Sequence, residues 1–167
     1  IQALAMWREI AVLDPTDTAA DLSLADAYLA EEQTEDAHEA NTECGNRFAK
    51  KDDHENAIKS FDKALGLKKE VPSVIEGLVR SLQALDRGAE AAERLAGFLT
   101  EFPHSREIRV LYIDCLIQQG EIAEAEKAVI RLVEMEPANY PKFLELAQLY
   151  LDGDDVVAAT RILAMSS

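Results

Sequence analysis

An alanine that returns at one fixed interval constrains this chain more than any other feature. Ala57, Ala91, Ala125 and Ala159 stand 34 residues apart, and each is followed four positions later by a larger apolar residue, Phe61, Leu95, Val129 or Leu163. Four positions is about one helical turn, so small and large side chains stack on one helix face. A second ladder, Phe48, Leu82, Leu116 and Tyr150, keeps the same interval of 34. Units of this length bury their apolar faces only against neighbouring units, so the period predicts a stack of helical pairs.

Short turn signals separate the windows of helical periodicity: Asp52-Asp53, Asp86-Arg87-Gly88, Gly120 and Asp152-Gly153-Asp154. Pro103 and Pro137 mark the ends of two units, because proline drives the residue before it out of the helical region. The pattern predicts helices over 1–14, 18–31, 38–51, 54–67, 72–85, 89–101, 106–119, 122–135, 140–152 and 155–166. Composition agrees with this. Of 167 residues 48% are hydrophobic but only 6% aromatic, which suits alanine-rich helix contacts better than a bulky sandwich core.

The residues that carry the ladders resemble the tetratricopeptide repeat, whose unit has a small residue, an aromatic three positions on, then an alanine, an aromatic and a closing proline. Gly45-Asn46 with Phe48, followed by Ala57-Ile58, Phe61 and Ala64-Leu65, is the best match. Tyr112, Leu116, Ala125, Val129, Leu132 and Pro137 repeat the theme, as do Ala147, Tyr150 and Ala159. The unit holding Leu78, Leu82, Ala91, Leu95, Phe98 and Pro103 departs from the aromatic positions but keeps the apolar sizes. The resemblance covers nearly the whole chain. It implies an all-α fold, a right-handed α-solenoid of antiparallel helix pairs with a 34-residue period.

The register breaks once. Ala3 and Ala37 are 34 apart, yet Ala37 to Ala57 and Tyr28 to Phe48 are each 20, a shortfall of 14 residues, which is about one helix. Asn41 stands where the second helix should offer an apolar residue, and Thr42-Glu43-Cys44-Gly45-Asn46 already begins the next first helix. The expectation is a segment missing from this sequence near Ala40-Asn41, because losing a helix exposes apolar surface on both neighbours. A deletion in the chain, or one long helix serving as two, are the alternatives, and an unbroken backbone would count against a missing segment. Residues 1–40 then form an N-terminal portion, the second helix of one repeat and the first of the next, and 41–167 an array of about four repeats. Ala3, Trp7 and Pro15 read as the second helix of a preceding unit, and Leu163 to Ser167 stop inside another. Without polar capping helices, this pattern implies a longer array or a second chain packed end to end.

Little points to catalysis. No nucleophile with its base, no paired carboxylates at a recognisable spacing and no metal cluster occurs. Cys44 and Cys115 lie far apart with no C-x-x-C, so buried free thiols are expected. His38, His54 and His104 sit near helix starts or turns and read as surface or capping residues. Asp152-Gly153-Asp154-Asp155 lacks the alternating ligands of a calcium loop, and no glycine-rich phosphate motif is present, so no cofactor is expected. Phe48, Phe61, Phe98, Phe143, Tyr112 and Tyr150 are assigned to packing. No apolar run is long enough to span a bilayer. The net charge of -15, from 32 Asp and Glu against 17 Lys and Arg, disfavours nucleic acid and acidic membranes.

What remains is binding. The resemblance implies that first helices line a concave groove for extended or helical peptides, and the helical period then offers Leu22, Asp26, Asn46, Glu76, Arg80, Gln83, Val110, Asp114, Gln118, Leu144 and Gln148 as groove residues. Some family members clamp the acidic tails of chaperones with Lys, Asn and Arg along three units. Here only Asn46 matches; Thr42, Gly77, Glu107 and Leu111 occupy the other positions, which disfavours chaperone tails. Asp26, Glu76 and Asp114 point instead to a basic or mixed amphipathic peptide. The expected function is a protein-interaction scaffold. The alternatives are a module that self-associates through uncapped ends, or an accessory domain of a larger enzyme.

Overall fold

The computed structural model describes residues 2–14 and 18–165. Among them run ten α-helices: α1 (Gln2–Leu13), α2 (Thr18–Ala30), α3 (Thr34–Lys50), α4 (His54–Leu67), α5 (Pro72–Ala84), α6 (Gly88–Glu101), α7 (Arg106–Gln118), α8 (Ile122–Met135), α9 (Pro141–Asp152) and α10 (Val156–Met165). A single 3-10 turn, Pro137–Asn139, precedes α9. The helices fall into two compact units, residues 1–87 with α1 to α5 and residues 88–167 with α6 to α10.

The turns explain the period. Glu32, Asp52, Asp86, Gly120 and Asp154 all have positive φ, between 58 and 76 degrees, and the last four follow one another at the same interval of 34 as the alanines. In each case the next residue's N–H reaches back across the turn. Asp53 N donates to the Phe48 carbonyl at 2.9 Å, Arg87 to Leu82 at 2.8 Å, Glu121 to Leu116 at 2.9 Å and Asp155 to Tyr150 at 2.8 Å. This is the left-handed helix stop in which a carbonyl of the last turn regains a donor. The second ladder therefore has two duties, a packed side chain and the carbonyl that closes its helix. The residue after the turn opens the next helix by accepting from the ladder alanine: Ala57 N to Asp53 O at 3.0 Å, Ala125 to Glu121 at 3.0 Å, Ala159 to Asp155 at 3.1 Å.

Aspartate suits these positions because its short polar chain tolerates the left-handed region. Glu32 lacks that advantage. Side chains complete several starts: Asp53 accepts from Asn56 N at 3.3 Å, Asp155 from Ala158 N at 2.9 Å, and Ser105 from Ile108 N at 3.4 Å. The Asn56 amide also bonds Asp53 at 2.8 Å, and it is the main reason that this carboxyl sits below the usual aspartate range.

Both ladders lie inside. Ala57, Ala91, Ala125 and Ala159 are buried, as are Phe61, Leu95 and Val129. Burying each of those large side chains contributes about 1.5–3 kcal/mol. Leu163 breaks the rule at 41% exposure, while its neighbour Ile162 is fully buried and packs with Leu146, Ala147 and Val129. One position along α10 turns the side chain by about 100 degrees, so Ile162 takes the inward place that the ladder assigned to Leu163. Phe48 and Phe143 are buried, whereas Phe98, Tyr112 and Tyr150 are half-buried. Cys44 and Cys115 are buried and not joined in a disulfide.

The register break lies inside α3, which runs unbroken for 17 residues through Ala40 and Asn41. It opens as a second helix, with Ala37 N donating to Gln33 O at 2.9 Å, and ends as a first helix whose Phe48 carbonyl closes the Asp52 turn. It packs on both α2 and α4. Being covered on two sides changes its inventory. Asn41 is fully buried, its Nδ2 donating to the Ala37 carbonyl at 2.8 Å while Oδ1 has no partner. His38, expected at the surface or as a cap, is buried instead, with Nδ1 2.9 Å from the Ala64 carbonyl of α4. Pro15, Ser166 and Ser167 lie outside the described residues, as do the side chains of Ala3 and Trp7.

Candidate functional site

In the first unit, α3, the start of α4 and α5 enclose a cleft of about 500 Å³. Two glycines shape it. A Cβ on Gly45 of α3 would lie 2.6 Å from the Phe61 ring and one on Gly77 of α5 2.8 Å from it. The ring of α4 thus fits against both first helices only because each presents a hydrogen. Above it, α3 contributes Glu43, Asn46 and Lys50, α4 contributes His54, and α5 contributes Arg80 and Ser81.

The charges divide unevenly. Glu43 is held by Arg47 at 3.1 Å, and Arg80 meets Glu76 at 2.5 Å. Among the described residues no carboxylate lies in ion-pair range of Lys50. Deeper in, the Ser81 hydroxyl and His54 Nδ1 are buried without a hydrogen-bond partner. The other ring nitrogen of His54 is 3.8 Å from Asp52.

Of the predicted groove residues in this unit, Asn46 and Arg80 line the cleft and Glu76 pairs with Arg80. Asp26 faces Lys63 of α4 at 3.7 Å, while Leu22 on α2 and Gln83 on α5 are half-buried. In the second unit Asp114 of α7 accepts from Lys142 of α9 at 3.0 Å, and Lys142 also bonds Glu145 at 2.8 Å. Burial works to lower the Lys142 pKa and is the largest single effect, but these two carboxylates together outweigh it and the pKa is raised. Gln118 and Leu144 are exposed, Gln148 donates to Asp152 at 2.7 Å, and Val110 packs against the apolar core of its unit. All three acidic candidates, Asp26, Glu76 and Asp114, therefore already face a cation.

Among the polar lining residues, sequence reasoning missed Glu43, Lys50, His54 and Ser81. Lys50 follows Asn46 by four positions, so the helical period alone could have found it. His54 and Ser81 had no such signal; their place depends on how α4 and α5 dock on α3. A second polar cluster lies in the other unit, where the buried Glu126 of α8 accepts from the half-buried Tyr150 hydroxyl at 2.6 Å and from Arg161 at 2.8 Å. Burial, then the bond to Glu126, pushes the Tyr150 pKa up to about 12. The cluster ties α9 and α10 to α8. Among the described residues no helix is long and apolar enough to cross a membrane.

Comparison with known proteins agrees with the fold. The tetratricopeptide-repeat family model matches residues 84–143. No curated protein sequence matches. Among solved structures, YrrB, described as a TPR protein with an unusual peptide-binding site, aligns at 18% identity over 96% of this chain and 90% of its own, with a TM-score of 0.57. A double mutant of MamA RS-1 aligns at 16% identity over 97% of this chain and 91% of its own, TM-score 0.61. MamA from Desulfovibrio magneticus RS-1, residue 41 to the end, aligns at 15% identity over 89% and 92%, TM-score 0.57. At these identities the likeness is one of fold.

Proposed function

Starting from a chain built of tetratricopeptide repeats, we propose that it is an interaction scaffold, not an enzyme, and that its first helices receive a peptide segment of mixed charge. The observation that carries this reading is the cleft over Phe61, whose ring is seated against Gly45 and Gly77, lined by polar side chains on α3 and α5. Its volume of about 500 Å³ suits one or two peptide side chains, within the range of roughly 300–1,000 Å³ common for ligand sites. YrrB, with its peptide-binding site, supports the reading by analogy of fold. Because Asp26, Glu76 and Asp114 each have a cation nearby, a mixed amphipathic peptide fits better than a purely basic one. In the second unit Gln118, Leu144 and Gln148 are exposed and remain candidate contact residues of that unit.

The test is selection of peptides from a displayed random library on the intact chain, followed by binding isotherms on variants. Asn46→Arg and Arg80→Glu should weaken the selected peptides by about tenfold or more. Enrichment that neither variant affects would refute the assignment to this cleft.

Self-association is a second reading with one observation in its favour. Val156 and Val157 on α10 are 61% and 82% exposed, and Val12 and Leu13 on α1 are 78% and 76% exposed. A second copy covering such faces would give a mass that rises with concentration, and Val157→Glu should lower it. A mass independent of concentration would dismiss it. On either reading residues 1–40 and 41–167 are two registers joined within α3.

A further inference from the structure

We propose that the α3–α5 cleft is a receptor for one carboxylate-bearing side chain, Asp or Glu, of the bound peptide, an inference that rests on the peptide-binding reading above. The chain as a whole repels anions, with 32 acidic residues against 17 basic ones. This cleft reverses the balance. Its one lining carboxylate, Glu43, is engaged by Arg47 at 3.1 Å, whereas Lys50 meets no carboxylate among the described residues. Arg80 keeps Glu76 but has five N–H donors in a planar fork, more than one carboxylate satisfies.

The second observation is Ser81. It is 1% exposed, borders the cleft, and its hydroxyl has no hydrogen-bond partner. His54 Nδ1 is buried in the same cleft and equally unpartnered. Unpaired buried donors cost stability until something supplies an acceptor. A carboxylate supplies about four acceptor positions, enough for the Ser81 hydroxyl, the Asn46 amide and Lys50. Asn46 and Lys50 lie one turn apart on α3 and so reach the same point.

This arrangement is not the clamp for chain-terminal carboxylates that the resemblance suggested. That clamp's first lysine is Thr42 here and its second asparagine is Gly77. The cations instead sit at 50 and 80, nearer the ends of their helices, and the start of α4 takes part. A side chain projecting from a peptide that lies along α3 and α5 can enter this cleft while the peptide continues in both directions.

The experiment uses peptides displayed with their C-termini fused, so that no terminal carboxylate is present. The consensus is then made as an amidated peptide and measured by fluorescence anisotropy on the wild-type chain, Lys50→Met and Ser81→Ala. An acidic residue should be fixed at one position, and its replacement by the amide should weaken wild-type binding about tenfold. On Lys50→Met that loss should shrink to about twofold or less, since the interaction has been removed from both sides. Lys50 is exposed, so the variant should melt with the wild type. Enrichment without an acidic position, or an amide penalty unchanged by Lys50→Met, overturns the proposal and leaves the peptide-binding reading standing. The same consensus is also made with a free C-terminus, and binding of that form but not of the amidated one likewise overturns the proposal. Failure to enrich any peptide refutes both.

Discussion

Replacing Gly45 by alanine should destabilise this protein, although the same change in an exposed helix interior stabilises one. The two effects oppose each other and can be weighed. Alanine gains about 0.8–1.0 kcal/mol of helix propensity over glycine. Against this, a Cβ on Gly45 would lie 2.6, 2.7 and 3.0 Å from three carbons of the Phe61 ring. That ring is 1% exposed, so it cannot swing into solvent, and overpacking of a closed core costs about 1–3 kcal/mol. Contacts this short belong at the upper end of that range. The net loss is about 1–2 kcal/mol, which for a chain of this size lowers the melting temperature by roughly 2–8 °C. Gly77→Ala, whose nearest contact is 2.8 Å, should be milder. Gly97→Ala on α6 meets nothing within 4 Å and should raise the melting temperature by about 1–4 °C. Circular dichroism on the three variants reads the signs directly. In a double-mutant cycle, the Gly45→Ala penalty should largely vanish once Phe61 is leucine. If Gly45→Ala stabilises as much as Gly97→Ala does, the Phe61 ring is not wedged against α3 and the account of the cleft floor fails.

Two further outcomes test the turns and the half-buried Tyr150. Glu32 occupies a left-handed position, with φ 58 degrees, without glycine's freedom or the short side chain of aspartate; Glu32→Gly should therefore stabilise by about 1 kcal/mol in urea unfolding, and Gly120→Ala, at φ 76 degrees, should destabilise by about 1–2 kcal/mol. Equal effects of the same sign would show that the turn backbone is not the controlling factor. Tyr150 has its pKa raised to about 12 from 10.0 by burial and by the Glu126 carboxylate, so its share of stability is complete below pH 10.0 and is lost as pH rises through about 12. Phenolate absorbance should show one of the four tyrosines ionising late in the folded protein, and Tyr150→Phe should remove that step; a late step that persists in the variant assigns it elsewhere.

The sequence by itself determined the repeat. The alanine ladder, the second ladder and the turn signals are one pattern because a left-handed stop, a capping residue and a packed alanine follow one another at fixed offsets along the chain. Such local rules are legible without coordinates, and they also placed Asn46 and Arg80, which border the cleft, among the candidate groove residues. Tertiary structure decided what local rules cannot express. Whether His38 is inside depends on α4 covering the side of α3 that an ordinary second helix leaves to water. Whether Asp26, Glu76 and Asp114 act as free charges depends on Lys63, Arg80 and Lys142, of which Lys63 and Lys142 stand on other helices. Ser81 became a candidate only when docking removed it from solvent and left its hydroxyl without a partner, and His54 only when docking buried its Nδ1. Periodicity assigns a residue to a face of its own helix; what that face meets depends on which neighbouring helix packs there.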